Sequence, residues 1–235
     1  PDVGQLITQE RLGIKGLVNA KYNLKPCGTL GDVYANSDLV YNDDGYIEVD
    51  KNGNVAVKDD YMDDIYLGSV FPKYNLAWRN DFNYKGINLG VLFTARIGGI
   101  CYSATQANMD MYGVSEASAA ARDAGGVMIN GRDMIDAQKW YQVIGSQSGL
   151  LQYYTYSATN VRLQELSLGY TLPSKWFRDK MRMTVSFVGR NLWMIYCKAP
   201  FDPEAVASTG MNYQGIDYFM MPSMRNLGFN VKFQF

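Results

Sequence analysis

The sequence predicts an all-β protein: the wall of an antiparallel, up-and-down transmembrane β-barrel, with long extracellular loops carrying short helices. Three observations predict it. Segments of the chain alternate apolar and polar residues with period 2, the connections between them alternate long and short, and aromatic residues gather beside the short ones. Composition points the same way. The 235 residues hold 18 Tyr, 10 Phe and 4 Trp beside 23 Gly, with only 19% charged, which suits β structure better than a soluble helical enzyme.

Taken in order, the first alternating segment is the weakest. Leu12, Ile14, Val18, Ala20 and Tyr22 oppose Arg11, Lys15, Asn19 and Lys21. Next, YNDDGYIEVDKNGNVAVKDD reads as a small hairpin with Gly45 and Gly53 at its turns. Leu76, Trp78, Phe82 and Tyr84 then oppose Asn75, Ala77, Arg79, Asp81 and Asn83. Lys85-Gly86 is a tight two-residue turn, with Gly where a positive φ is needed. The returning strand puts Ile87, Leu89, Val91, Phe93, Ala95 and Ile97 opposite Asn88, Gly90, Thr94 and Arg96. Two helices are expected in the long segment that follows. One is the Ala-rich Ser115–Ala124; the other is capped by Asp133, carries Ala137, Trp140, Tyr141 and Ile144 at helical spacing, and stops at Gly145. Leu166, Leu168, Tyr170 and Leu172 oppose Ser167, Gly169 and Thr171, and Met183, Val185 and Phe187 oppose Thr184 and Ser186. The last twelve residues, MRNLGFNVKFQF, alternate without error, with Leu227, Phe229, Val231, Phe233 and Phe235 on one face.

Alternation alone also fits an edge strand of a soluble, secreted β-sandwich, which would bind glycans as a module. The connections separate the two. Lys25–Pro72, Gly99–Ser157 and Tyr196–Ser223 are long, whereas Lys85-Gly86 and Pro173–Lys180 are short, the pattern of outer loops and periplasmic turns. Tyr84, Tyr170, Trp176, Phe177, Phe233 and Phe235 would ring one membrane interface. Both short turns should therefore lie at the same end of the sheet as Phe235. Leu89, Val91, Phe93, Leu168, Phe229, Val231 and Phe233 should face lipid and look exposed in the isolated chain. No run approaches the ~20 apolar residues of a spanning helix. The first residues lack a basic and an apolar stretch of the kind that targets a chain for export, so the chain is either cytosolic or a piece of something longer.

Little in the sequence suggests chemistry. With no histidine there is no Ser-His-Asp or Cys-His triad and no commonest metal ligand. Cys27, Cys101 and Cys197 allow at most one disulfide and no CxxC site, and a net charge of -1 excludes a protein that coats nucleic acid. No cofactor and no enzyme activity are expected. Asp50, Asn52 and Asn54 hint at a calcium loop, but Gly53 misses the sixth position an EF-hand needs, and a polar turn is the better reading. Arg79, Asp81, Arg96 and Glu165 are expected to form ion pairs along the polar wall rather than to contact a ligand.

Several stretches resemble a known family: YLGSVFPKYNLAWRNDFNYKGINLGVLFTARIGG, SATQANMDMYGVSEASAAARDAGG, TNVRLQELSLGYTLPSKWF, GRNLWMIYCKAPFDPE and the terminal MPSMRNLGFNVKFQF. From about Tyr66 to Phe235 they are similar to the C-terminal end of SusC/RagA-type TonB-dependent outer-membrane transporters, and KPCGTLGDVY also looks like a family segment. The resemblance implies that residues 1–235 are the C-terminal part of a barrel domain, roughly the last six of about 22 strands. A signal peptide, TonB box and plug domain would belong to the remainder. It further implies an outer-membrane location in a Gram-negative bacterium and import of glycans, oligosaccharides or peptides. The TonB–ExbB–ExbD complex would power that import, under a SusD-like surface lipoprotein lid. In that setting Trp140, Tyr141, Tyr153, Tyr154, Tyr156, Tyr213 and Tyr218 are candidates for stacking on sugar rings or touching the lid; the alternative is that they pack the loops together. Phe235 resembles the C-terminal signal read by the barrel-assembly machinery.

Overall fold

The computed structural model describes residues 8–9, 20–23, 28–35, 37–58, 65–146, 149–177, 180–206 and 215–234. Contacts divide the chain into two units: Pro72–Gly98, Ala158–Ala205 and Met221–Phe235 form one, and Pro1–Phe71, Gly99–Ser157 and Val206–Met220 the other.

The first unit is a wall of five strands: β1 (Tyr74–Tyr84), β2 (Ile87–Ile97), β3 (Asn160–Thr171), β4 (Arg182–Cys197) and β5 (Asn226–Gln234). They lie in sequence order, each antiparallel to the next. A single row runs through Phe82, Leu89, Leu168, Phe187 and Phe229, because each is the direct partner of the next. Period 2 then places Val91, Phe93, Leu166, Val185, Val231 and Phe233 on that same face, while Leu92 and Val188 fall on the other. Trp78 stacks on Phe93 at 5.6 Å and Phe187 meets Phe229 edge-on at 5.5 Å, as cross-strand pairs should. Register shifts interrupt the ladder between Val161 and Arg162 and between Leu163 and Glu165, and Asn191 takes φ 51 in β4.

Both short connections lie where expected. Tyr84 pairs with Ile87, Thr171 with Thr184 and Arg182 with Gln234, so the Lys85-Gly86 turn, the Leu172–Met181 link and the end of β5 share one end of the sheet. Phe235 itself lies outside the described residues. Lys85 and Gly86 take φ 48 and 87, both positive as a twisted two-residue hairpin turn requires. A Cβ on Gly86 would stand 2.9 Å from the carbonyl oxygen of Thr171.

Among the described residues the wall has five strands rather than six. Ala20–Asn23, the described part of the first expected strand, pairs with Asp32–Ala35 in a four-stranded sheet of the second unit. Pairing, not alternation, decides which sheet a strand joins. Residues 11–19 lie outside the described residues.

The second unit has its own apolar core, in which Leu39, Val55, Ala107, Ile129, Ile135, Trp140, Ile144, Leu150 and Tyr154 pack together. The two expected turns at Gly45 and Gly53 form, bridged by Tyr41–Ile47 and Val49–Val55. Asn42 and Asp50 close them alike, each side chain accepting from backbone N–H groups two and four residues on. Asp50 Oδ2 also accepts from Asn54 Nδ2, so the carboxylate is spent on the turn. Helices α1 (Ala104–Met111), α2 (Glu116–Asp123) and α3 (Ala137–Gly145) follow. Helix α2 falls within the expected Ser115–Ala124, with Ser115 as its cap. The cap of α3 is Asp136, accepting from the Lys139 N–H at 3.1 Å, while Asp133 opens the short strand Asp133–Ile135. Three intervening residues suffice for a strand when Val127–Ile129 is there to pair with it. Helix α1 carried no apolar stripe to announce it. Gly145 lets α3 approach α1 closely, since a Cβ there would meet the Ala107 carbonyl oxygen at 2.6 Å.

Gly86→Val should lower wall stability by about 1–3 kcal/mol, because an L side chain resists this φ and has no room. Lys85→Gly should change it by less than about 1 kcal/mol. Urea midpoints of the folded protein in detergent measure both.

Candidate functional site

The wall's polar face is laced by ions. Arg79 and Glu165 flank Leu92 as its direct partners on the two neighbouring strands, and Arg190 is the partner of Glu165 on β4. Glu165 Oε1 lies 3.5 Å from Arg79 Nη1, and its Oε2 accepts from Arg190 Nε at 3.0 Å. Arg79 also donates from Nε to Asp81 at 2.8 Å. One carboxylate thus ties three strands. Arg79, Asp81 and Glu165 pair as their placement in the strands anticipates; Arg190 completes the set. Gly90 leaves the space these groups occupy, since a Cβ there would stand 2.8 Å from Asp81 Oδ1 and 2.5 Å from Ser167 Oγ.

At the other end of β3, Arg162 is 1% exposed and holds the turn at Asp202 and Glu204. Its guanidinium donates to both oxygens of Asp202, at 2.6 and 3.4 Å, and reaches Glu204 at 3.3 Å, while Nε donates to Asn160 Oδ1 at 3.2 Å. Asp202 accepts in addition from the N–H groups of Glu204 and Ser223. Burial pushes the Asp202 carboxyl up, but hydrogen bonds from Arg162 and Ser223 outweigh it and hold the group at about 2. The FDPE run is therefore a structural clasp. Sequence reading passed over Arg162, whose partner lies 40 residues away.

The second unit sorts the loop aromatics. Trp140 and Tyr154 are 7% and 2% exposed and belong to the core, so stacking on a ligand is closed to them and the packing alternative holds. Tyr153 meets Trp140 edge-on at 5.8 Å, and desolvation, reinforced by Tyr41 and Asp38, raises its hydroxyl to about 12. Tyr154 donates to Asp110 Oδ2 at 2.9 Å; burial first, then the Asp110 charge, pushes its hydroxyl well above its ordinary range. Tyr141 is half-buried and raised for the same two reasons, and Tyr156 donates to Gln106 at 2.7 Å. Tyr218 stays exposed beside Phe219, and Tyr213 lies outside the described residues.

On the wall's apolar face Leu168, Phe229, Val231 and Phe233 are about half exposed or more, and Leu89, Val91 and Phe93 are partly exposed. Trp78 and Phe82 add to the same surface. A sandwich would bury this face under a second sheet.

Known proteins share this arrangement. The chain is 25% identical over 198 residues to the TonB-dependent receptor P3 of Formosa agariphila, covering 80% of this chain and 19% of that receptor. Its fold matches the RagAB peptide transporter at a TM-score of 0.53, with 17% identity over 92% of this chain and 24% of that one. Against the RagAB peptide importer in its closed-closed state the TM-score is 0.51, with 16% identity over 91% of this chain and 25% of that one. In sequence the chain is similar to a TonB-dependent receptor, and in fold to the RagAB transporter. It spans only 19% to 25% of the length of these relatives. No family model matches it. By this likeness of fold the five strands are a stretch of barrel wall, and the sandwich alternative falls away.

Asp202→Ala would strand the buried Arg162 charge, and should cost about 3–5 kcal/mol locally. Hydrogen exchange across 198–225 should rise sharply while exchange in β1 and β2 stays slow. Asp202 sits below its ordinary 3.8, so its contribution is complete above that pH and is lost as pH falls towards about 2. Protection of 198–225 measured down that range should fade accordingly.

Proposed function

We propose that this segment supplies barrel wall and extracellular loops to an outer-membrane importer of glycans, oligosaccharides or peptides. The observation that carries the reading is a single sheet with one continuous apolar face and one ion-paired polar face. A sheet meets two such surroundings at once when lipid lies on one side and a watery lumen on the other. Leu89, Val91, Phe93, Leu168, Phe229, Val231 and Phe233 are then lipid contacts. Glu165 and its arginines line the lumen as a rigid charged wall.

The segment reads as the C-terminal part of its barrel, with TonB–ExbB–ExbD engaging a part of the protein beyond it and a SusD-like surface lipoprotein covering the loops. Tyr153, Tyr218 and the accessible parts of Tyr141 and Tyr156 remain the aromatics able to meet substrate or lid; Tyr213 joins them on sequence grounds. Deleting the gene and feeding defined oligosaccharides or peptides as sole nutrient tests import. Unchanged growth and uptake on every substrate would remove the transport reading.

Lipid contact has a sharper test. Leu89→Arg should cost about 2–4 kcal/mol of barrel stability if it sits near the bilayer midplane, whereas Ser167→Arg on the opposite face should cost far less. Equal costs in urea titrations of the vesicle-inserted protein would contradict the assignment of faces.

Phe235 is proposed as the C-terminal signal for the barrel-assembly machinery, which captures an edge strand by main-chain pairing. Burial of one terminal ring is worth at most ~1.5–3 kcal/mol, too little to unfold a closed barrel. Phe235→Ala should therefore reduce the amount of heat-modifiable barrel in outer-membrane fractions at matched synthesis, yet leave the stability of inserted protein nearly intact.

A further inference from the structure

Strand β5 lacks both of the ordinary devices for fixing a register. Alternation forbids a slip by one residue but allows a slip by two, which keeps Leu227, Phe229, Val231 and Phe233 on the apolar face. No tight turn sets the pairing either, because β4 ends at Cys197 and β5 begins at Asn226. Shape does not key the strands together at Gly228, where a Cβ would meet nothing within 4 Å. Yet β5 keeps one unbroken register along β4, from Asn226 opposite Arg190 to Gln234 opposite Arg182.

A strained residue sits just beyond that ladder. Asn191 follows Arg190 and takes φ 51, a left-handed conformation that residues with a side chain rarely adopt inside a strand. Here Asn191 and Leu192 of β4 stand against the single residue Gln164 of β3, the count of a β-bulge. A bulge re-aims a side chain, and the Asn191 carboxamide reaches the chain entering β5. Its Nδ2 donates to the carbonyl oxygens of Ser223 at 3.0 Å and Met224 at 3.4 Å, and its Oδ1 accepts from Arg162 Nη1 at 3.4 Å. The N–H of the same Ser223 donates to Asp202 Oδ2 at 3.2 Å. Both main-chain groups of Ser223 are thus held by side chains, and both of those side chains are held by the buried Arg162.

We propose that Arg162, Asn191 and Asp202 form a register lock for β5, gripping Ser223 at its N–H and its carbonyl so that Asn226 pairs only with Arg190. Met224 and Arg225 alone separate Ser223 from Asn226. A slip by two moves a strand roughly 6–7 Å, which would pull Ser223 off both partners or crowd two more residues into that short span. Asn suits position 191 because it tolerates a positive φ and its amide carries both the donor and the acceptor that the grip uses. The far edge of β5 pairs with no strand among the described residues. On the barrel reading, on which this step alone rests, the strand that closes on that edge inherits the locked register, and the tilt and girth of the barrel follow from it.

Disulfide trapping in the full-length protein tests the lock. Val185 and Val231 are direct partners on the apolar face, and residues two positions along lie ~7–8 Å away, beyond disulfide reach. Val185→Cys is combined with Val231→Cys to report the locked register, or with Phe229→Cys or Phe233→Cys to report a slip in either direction, and the oxidised products are mapped by mass spectrometry. With the lock intact the disulfide between 185 and 231 should dominate. Asn191→Gly keeps the left-handed backbone and removes the amide, while Asp202→Asn keeps the shape and removes the charge. Each should raise the ratio of slipped to locked disulfide about fivefold or more, the effect of losing a hydrogen bond. Asn83→Cys with Asn88→Cys, in the ladder set by the Lys85-Gly86 turn, should crosslink equally in every variant. An unchanged ratio in Asn191→Gly would overturn the proposal. Loss of every disulfide at 185 in that variant would overturn it as well, since β5 would then have left the wall rather than slipped. Should Asp202→Asn fail to fold, Asn191→Gly decides alone. The readout is strand pairing rather than uptake, so the result stands apart from the transport reading.

Discussion

A strand has two faces, and in this wall every strand must present the correct one in step with four others. The row Phe82, Leu89, Leu168, Phe187 and Phe229 expresses that constraint in five residues. A slip of one residue at any ladder would turn one strand's apolar set onto the face that holds Arg79, Glu165 and Arg190. The tight Lys85-Gly86 turn fixes one ladder, and the link before β4 limits another.

On the polar face, electrostatics follows from register rather than causing it. Arg79 and Arg190 are well exposed, and exposed ion pairs are worth little singly. Glu165 gains from standing between them, but its main effect is to give three strands a common, rigid, mixed-charge surface. Arg162 is different in kind. It is buried, so its pairing with Asp202 is compulsory, and the long connection after β4 must return to supply that carboxylate.

The connections between wall strands, long enough to be expensive if structureless, instead fold around a core of their own. Trp140, Ile144, Leu150 and Tyr154 bury the apolar surface that offsets the entropy of ordering them. That core also takes up two of the loop aromatics, Trp140 and Tyr154, as packing. Asp110 stands out against it as a polar group that the core does not complete.

The sequence by itself determined the strands of the wall, their faces, the two short turns and the end of the sheet at which those turns lie. Period-2 alternation and turn chemistry are local, so they are written along the chain. It also determined the helix after Ser115 and the ion-pairing character of Arg79, Asp81 and Glu165, since strand parity alone puts them on one face. Only the tertiary structure decided that Ala20–Asn23 joins a different sheet, that Asp136 rather than Asp133 caps α3, and that Trp140 and Tyr154 are core. It alone brought Arg162 to Asp202, and Asp110 to Tyr154. These outcomes depend on which distant partner is present, and no spacing along the chain encodes a contact between residues 40 or more positions apart.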